Sequence, residues 1–199
     1  MKKVLALAVF AVAALPVFAQ QQQQPANSLP EGFFLSVSGG YAWSGIHKFS
    51  DQTYTRFDNS DTAYKAGFGY QHNQNMATEL SYVNFGNTDV SSATKTAKNK
   101  ITSYSLSEKL YPTINSAFKP FARIGLNYLR NEEESSTSTI KKSRTNMTYG
   151  LGFDYMISQK VRLGLEYEVY GKAGSANSAS GDPTQVKPRA TFITFTTSF

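Results

Sequence analysis

From Phe33 onward the chain alternates large apolar residues with small or polar ones at a period of two, and it does so in eight separate segments. That period belongs to β-strands, because successive Cβ atoms of a strand point to opposite faces. In the first segment Phe33, Leu35, Val37, Tyr41 and Trp43 oppose Ser36, Ser38, Gly40, Ala42 and Ser44. Tyr64 to Gln71, Glu79 to Tyr82 and Ser103 to Leu110 repeat the pattern. It returns in Ala122 to Tyr128, Met147 to Tyr155, Val161 to Val169 and Ile193 to Phe199.

The chemistry of the two sets separates a membrane barrel from a soluble sandwich, which also alternates. A soluble sheet turns a face rich in Lys, Glu and Thr to water. Here the second set is dominated by Gly and Ser with isolated charges, while the first is aromatic and aliphatic. Small residues suit the crowded interior of a narrow barrel, and an aromatic exterior suits lipid and its interfaces. The connections alternate too. Gly45 to Asp61, Asn87 to Asn99, Asn131 to Ser143 and Gly171 to Pro188 are long and polar; those near His72 to Asn75, Pro112 to Ala117 and Ser158 to Lys160 are short. Long external loops and short periplasmic turns are the outer membrane arrangement. The expected fold is therefore all-β: a transmembrane antiparallel eight-stranded up-and-down β-barrel over residues 32–199, in the outer membrane of a Gram-negative bacterium.

The N-terminus agrees with export. Lys2 and Lys3 precede an apolar run from Val4 to Leu15 and the small-residue exit Val17-Phe18-Ala19, which reads as a secretory signal peptide over residues 1–19. A membrane-spanning helix would need about 20 apolar residues, and Pro16 interrupts this shorter run. Residues 20–31, with Gln20 to Gln24, then read as a polar periplasmic leader. Losing Lys2 and Lys3 from a chain of formal charge +6 leaves a mildly basic mature protein. Aromatic residues at 14 % beside a negative mean hydropathy fit a polar interior wrapped in an aromatic exterior.

Several short sequences in this order resemble the eight-stranded barrels of the outer membrane protein A type and the related small adhesion and serum-resistance barrels. They are Ala77-Thr78-Glu79-Leu80-Ser81-Tyr82, Lys109-Leu110-Tyr111-Pro112, Phe121-Ala122-Arg123-Ile124-Gly125, Gly152-Phe153-Asp154-Tyr155, Leu165-Glu166-Tyr167 and the terminal Phe199. The resemblance spans almost all of residues 32–199. It implies that Ile193, Phe195 and Phe199 form the signal read by the outer membrane assembly machinery, with Thr197 departing from the usual pattern. Ending at Phe199, the chain would lack the family's peptidoglycan-binding domain.

The inward-facing set collects Lys65, Lys109, Arg123 and Arg162 against Glu79, Asp154, Glu166 and Glu168, a balanced group. Unpaired charge is costly in a narrow space of low effective dielectric, so these residues should pair and fill the lumen. The resemblance likewise implies an interior ion-pair network with Glu79, Lys109, Arg123, Asp154 and Glu166 inside. Gly164 stands where the family carries an inward arginine, with Arg162 two residues earlier on the same face. Glu108 would face lipid unless the periplasmic interface shelters it.

Other chemistry finds little support. The chain has no cysteine, which excludes thiolate catalysis and cysteine metal sites. His47 and His72 lie far apart, in the first loop and in a periplasmic turn, so neither a transition-metal site nor a serine–histidine lipid deacylase is expected. Asp51, Asp58, Asn59 and Asp61 lack the spacing of a recognised calcium loop. No glycine-rich phosphate loop opens a helix, and no cofactor, metal or nucleic acid is expected. The paired carboxylates each have a basic candidate partner, which favours structure over glycoside hydrolysis.

The expected function is non-enzymatic: a monomeric surface barrel with a structural and adhesive role and a salt-bridge-plugged lumen. Its expected partners are outer membrane lipid and lipopolysaccharide, the assembly machinery and a polyanionic host surface ligand. Lys95, Lys98, Lys172 and Lys187 in the second and fourth loop regions are the candidate contacts for such polyanions. A narrow ion-conducting channel is the alternative, and an outer leaflet lipid-modifying enzyme a more distant one.

Overall fold

The computed structural model describes residues 28–46, 56–58, 60–91, 96–135, 138–172 and 186–199. The signal peptide and most of the leader, together with Lys95 and His47, lie outside the described residues. The strands are β1 (Gly32–Ile46), β2 (Arg56–Asp58), β3 (Ser60–Asn73), β4 (Met76–Ser91), β5 (Thr96–Leu110), β6 (Phe118–Ser135), β7 (Ser138–Met156), β8 (Val161–Tyr170) and β9 (Val186–Ser198). All but β2 form one antiparallel ring, closed where β9 pairs with β1 and β4 with β5. The short β2 pairs only with the distal end of β4.

Register sets the size of the barrel. Cross-strand partners followed once around the ring lead from Tyr170 through Thr148, Gly125, Ser107, Glu79, Gly69, Phe34 and Ser198. The path re-enters β8 at Lys160, whose carbonyl accepts from the Ser198 amide. The closure is thus offset from residue 170 to residue 160, a shear of ten. With strands about 4.8 Å apart and about 3.3 Å per residue, that offset tilts the strands by about 40° and gives a backbone radius of about 8 Å. Side chains can fill such a ring.

The apolar set faces outward. Leu35, Val37, Leu80, Leu106, Leu126, Leu151, Leu165 and Ile193 are exposed around the waist. Rings gather at both rims: Trp43 stacks on Tyr167 at the distal end, while Phe33 meets Tyr70 and Phe199 at the periplasmic end. This exterior is the apolar band and aromatic girdle that a bilayer requires.

The loops are shorter than the polar composition suggests. β4 runs to Ser91 and β5 begins at Thr96, and β6 and β7 continue to Ser135 and from Ser138. Much of Asn87 to Asn99 and Asn131 to Ser143, read from sequence as loop, is therefore strand. These extensions carry no apolar alternation in the sequence, and only the backbone register reveals them as strand. Gly86, at φ 76°, lies in a register shift of β4 between Asn84 and Asn87. Asp61 accepts from the Asn87 amide at 2.8 Å beside it, and a Cβ at position 86 would strike the Asp61 carboxyl.

Candidate functional site

Two departures from the expected interior shape the lumen. It is not lined by small residues and charges alone. Ala42, Ala63, Val83, Phe85, Ile101, Leu129, Tyr170, Ala190 and Phe192 form a buried apolar layer toward the distal end. A second layer, Leu29, Phe34, Ala77, Tyr111, Phe121 and Met156, lies toward the periplasmic end. Leu29 belongs to the expected polar leader but is 1 % exposed, so the chain just before β1 inserts an apolar side chain into the mouth it precedes.

The glycines explain how rings fit into so narrow a space. A Cβ at Gly69 would lie 2.2 Å from Phe34 Cζ, and one at Gly152 would lie 2.7 Å from Phe121 Cζ. Each glycine vacates the volume its neighbouring ring occupies. Alternation alone does not mark Phe34, Phe121 and Phe192 as inward, because each stands beside an outward apolar residue at its segment's margin; the facing glycines are the signal that does.

Between the layers lie Lys65, Glu79, Lys109, Arg123, Asp154, Arg162, Glu166 and Glu168, none with more than 3 % of its side chain exposed. Arg123 is the hub. Its Nη1 donates to Glu79 Oε1 at 2.8 Å and Ser107 Oγ at 2.7 Å, and its Nη2 donates to Glu166 Oε2 at 3.0 Å. Its Nε lies 3.1 Å from Glu168 Oε1. Lys65 bridges Glu166 and Glu168, the latter at 2.7 Å. Lys109 stands farther off, 3.9 to 4.0 Å from Glu79, Asp154 and Glu166, with Phe121's ring under its ammonium at 4.4 Å.

Neutral groups from both layers complete the network. Tyr111 Oη donates to Asp154 at 2.8 Å from the periplasmic side, and Tyr170 Oη donates to Glu168 from the distal side. Arg162 Nη1 reaches Gln71 Oε1 at 3.2 Å and lies 3.9 Å from Asp154 Oδ2. At Gly164 a Cβ would come within 2.5 Å of Asp154 Oδ1. A side chain there would displace that carboxylate, so the cation reaches it from position 162 instead.

The mouth carries a second set of charges on the strand extensions. Arg130 lies 2.7 Å and Lys141 3.5 Å from Glu132. Burial works against the Glu132 carboxylate, but Lys141 and Arg130 more than offset it and hold the carboxyl below its ordinary range. Among the expected polyanion contacts, Lys98 lies on β5 with Asp89 and Glu134 as its register partners. Lys172 is exposed just beyond β8, and Lys187 lies on β9. β5 and β9 stand on opposite sides of the ring.

Ile193, Phe195 and Phe199 are exposed on the outer wall near the closing seam, where the Phe199 amide donates to Phe33 O at 3.0 Å. Val169, placed by alternation among the outward residues, is only 6 % exposed. His72, expected in a turn, lies instead on β3, and the turn is Gln74–Asn75. Its imidazole Nε2 is 2.7 Å from Thr78 Oγ1 on the outer wall, and Thr78 donates to Glu108 at 2.6 Å. With its one proton committed to Glu108, Thr78 accepts from His72; nucleophile activation needs the opposite direction.

A closed eight-stranded ring with an apolar, girdled exterior and buried interior charges defines a transmembrane β-barrel of the outer membrane. A family model for the outer membrane protein beta-barrel domain matches residues 6–198, and the chain belongs to that family. Its place is the outer membrane of a Gram-negative bacterium. Solved structures share the fold. Neisserial surface protein A is 16 % identical with a TM-score of 0.57, over 84 % of this chain and 97 % of that one. OprG of Pseudomonas aeruginosa is 20 % identical with a TM-score of 0.57, over 87 % and 99 %. Outer membrane protein W of E. coli is 16 % identical with a TM-score of 0.51, over 86 % and 99 %. No curated protein sequence matches the chain.

Proposed function

We propose that this protein is a non-enzymatic surface barrel whose lumen is closed and whose working part is its charged distal mouth. The observation that carries the reading is the order of layers along the barrel axis: apolar side chains, a charge-balanced network, then apolar side chains again. An ion would have to break buried pairs and also pass two dehydrated layers, each opposing a charged group. Closure leaves the exterior as the interacting surface.

The strand extensions and Lys172, Lys187, Lys95 and Lys98 then serve as contacts for polyanions, lipopolysaccharide phosphates or sulfated host glycans. Lys98 contributes least, because its register neighbours are acidic. Such contacts weaken with salt, since exposed charges are screened over about 8 Å at physiological ionic strength. Retention on immobilised heparin and on lipopolysaccharide, across a salt series, tests the reading. Wild type should elute at higher salt than a protein with Lys95, Lys98, Lys172 and Lys187 changed together to Ser; coincident elution removes the adhesive role.

A further inference from the structure

The hydrogen-bonded chain His72, Thr78 and Glu108 lies outside the lumen and has no part in the network or the mouth. Thr78 and Glu108 are register partners on β4 and β5, and both point outward. Their wall is apolar: exposed Leu80, Leu106 and Leu110 lie on the same strands, and exposed Ile124 pairs with Glu108 from β6. Glu108 is two residues from the end of β5 and Thr78 two from the start of β4. That is about 7 Å of strand from the periplasmic rim, at the level where headgroups meet acyl chains.

The donors run one way. An ionised carboxylate only accepts, so Thr78 gives its proton to Glu108 Oε1 at 2.6 Å and takes a hydrogen bond from His72 Nε2 at 2.7 Å. The relay ends on negative charge. Glu108 Oε2 is buried with no hydrogen-bond partner, and among the described residues no Lys or Arg pairs with this carboxylate. A half-buried carboxylate on a lipid-facing wall, supported by aligned donors and without a protein cation among the described residues, calls for a cation that the bilayer supplies.

We propose that Glu108, held by Thr78 and His72, binds the primary ammonium of an ethanolamine phospholipid in the periplasmic leaflet. An ammonium offers N–H donors to the half-buried carboxylate, whereas a choline headgroup carries charge without any N–H. The acyl chains would then lie along Leu80, Leu106 and Ile124, which gives the site an apolar floor. This site is independent of whether the lumen conducts or the mouth binds polyanions.

The test is lipid selection. Wild type, Glu108→Gln and Thr78→Val are folded into vesicles of equal parts ethanolamine and choline phospholipid with matched acyl chains. Heat modifiability on a gel verifies folding, and the lipid retained by each protein is counted by native mass spectrometry. Wild type should retain ethanolamine lipid in several-fold excess, and both variants should lose that excess. Equal retention of the two lipids by wild type, or persistence of the excess in either variant, overturns the assignment.

Discussion

One strand, β6, carries two arginines that make the same kind of contact in opposite circumstances. Arg123 and Arg130 are seven residues apart, an odd number, so one faces the lumen and the other the exterior. Arg123 exposes 1 % of its side chain and meets three carboxylates; Arg130 exposes 45 % and meets one. The inner charges have been desolvated, so each partner is needed to offset the cost of the others. At the mouth water and salt substitute for any lost partner. The energetic meaning of an ion pair here depends on which side of the wall it occupies.

The sharpest way to break the comparison is Lys109→Glu. It removes a cation that lies within 4.0 Å of three carboxylates and adds a fourth carboxylate to them. Removing one partner of a buried pair costs about 3 to 5 kcal/mol, and the added like charge raises that. The heat-induced gel shift should move to markedly lower temperature, while the two intact apolar layers keep conductance at the wild-type level. An unchanged transition would mean that Lys109 is not in the network.

A core substitution outside the charges separates the two seals. Leu129→Ala, in the distal apolar layer, should cost about 2 to 5 kcal/mol, as buried leucines do. It should leave ion conductance at the wild-type level because the network and the periplasmic layer remain. A conducting Leu129→Ala would show that the distal layer alone closes the barrel.

The smallest effect belongs to the mouth. Glu132→Gln should leave the unfolding transition where it is at physiological salt, since Lys141 and Arg130 are exposed and screened. The pH dependence has a defined sign. Because the folded Glu132 carboxyl titrates below its ordinary range, its contribution is present above that range and is lost as pH falls through the lowered value. A low-salt acid titration of wild type against Glu132→Gln should converge at acid pH. Divergence toward acid would reverse the assignment.

The architecture was legible because the lipid imposes a rule: outward positions across the membrane are predominantly apolar, so the period of two recurs in each membrane-crossing strand. Where the rule lapses, legibility goes with it. Glu132 and Lys141 pair across β6 and β7 in a stretch without apolar alternation, which the sequence alone presents as loop. Inside the barrel the charged residues stood out against glycine and serine. The buried aromatic side chains did not, since Phe34 and Phe121 read as part of apolar runs with Phe33 and Ala122. Glu108 was visible as an exception, but Thr78 and His72 became its partners only through pairing between β3, β4 and β5.

The central claim is closure of the lumen, and the direct measurement is ion conductance of the wild-type protein in a planar lipid bilayer. Folded wild type, inserted without detergent and held at moderate voltage in molar salt, should give no sustained open level. A steady, ohmic conductance from verified folded protein would contradict the account, because no continuous path can coexist with two apolar layers and an intact network between them.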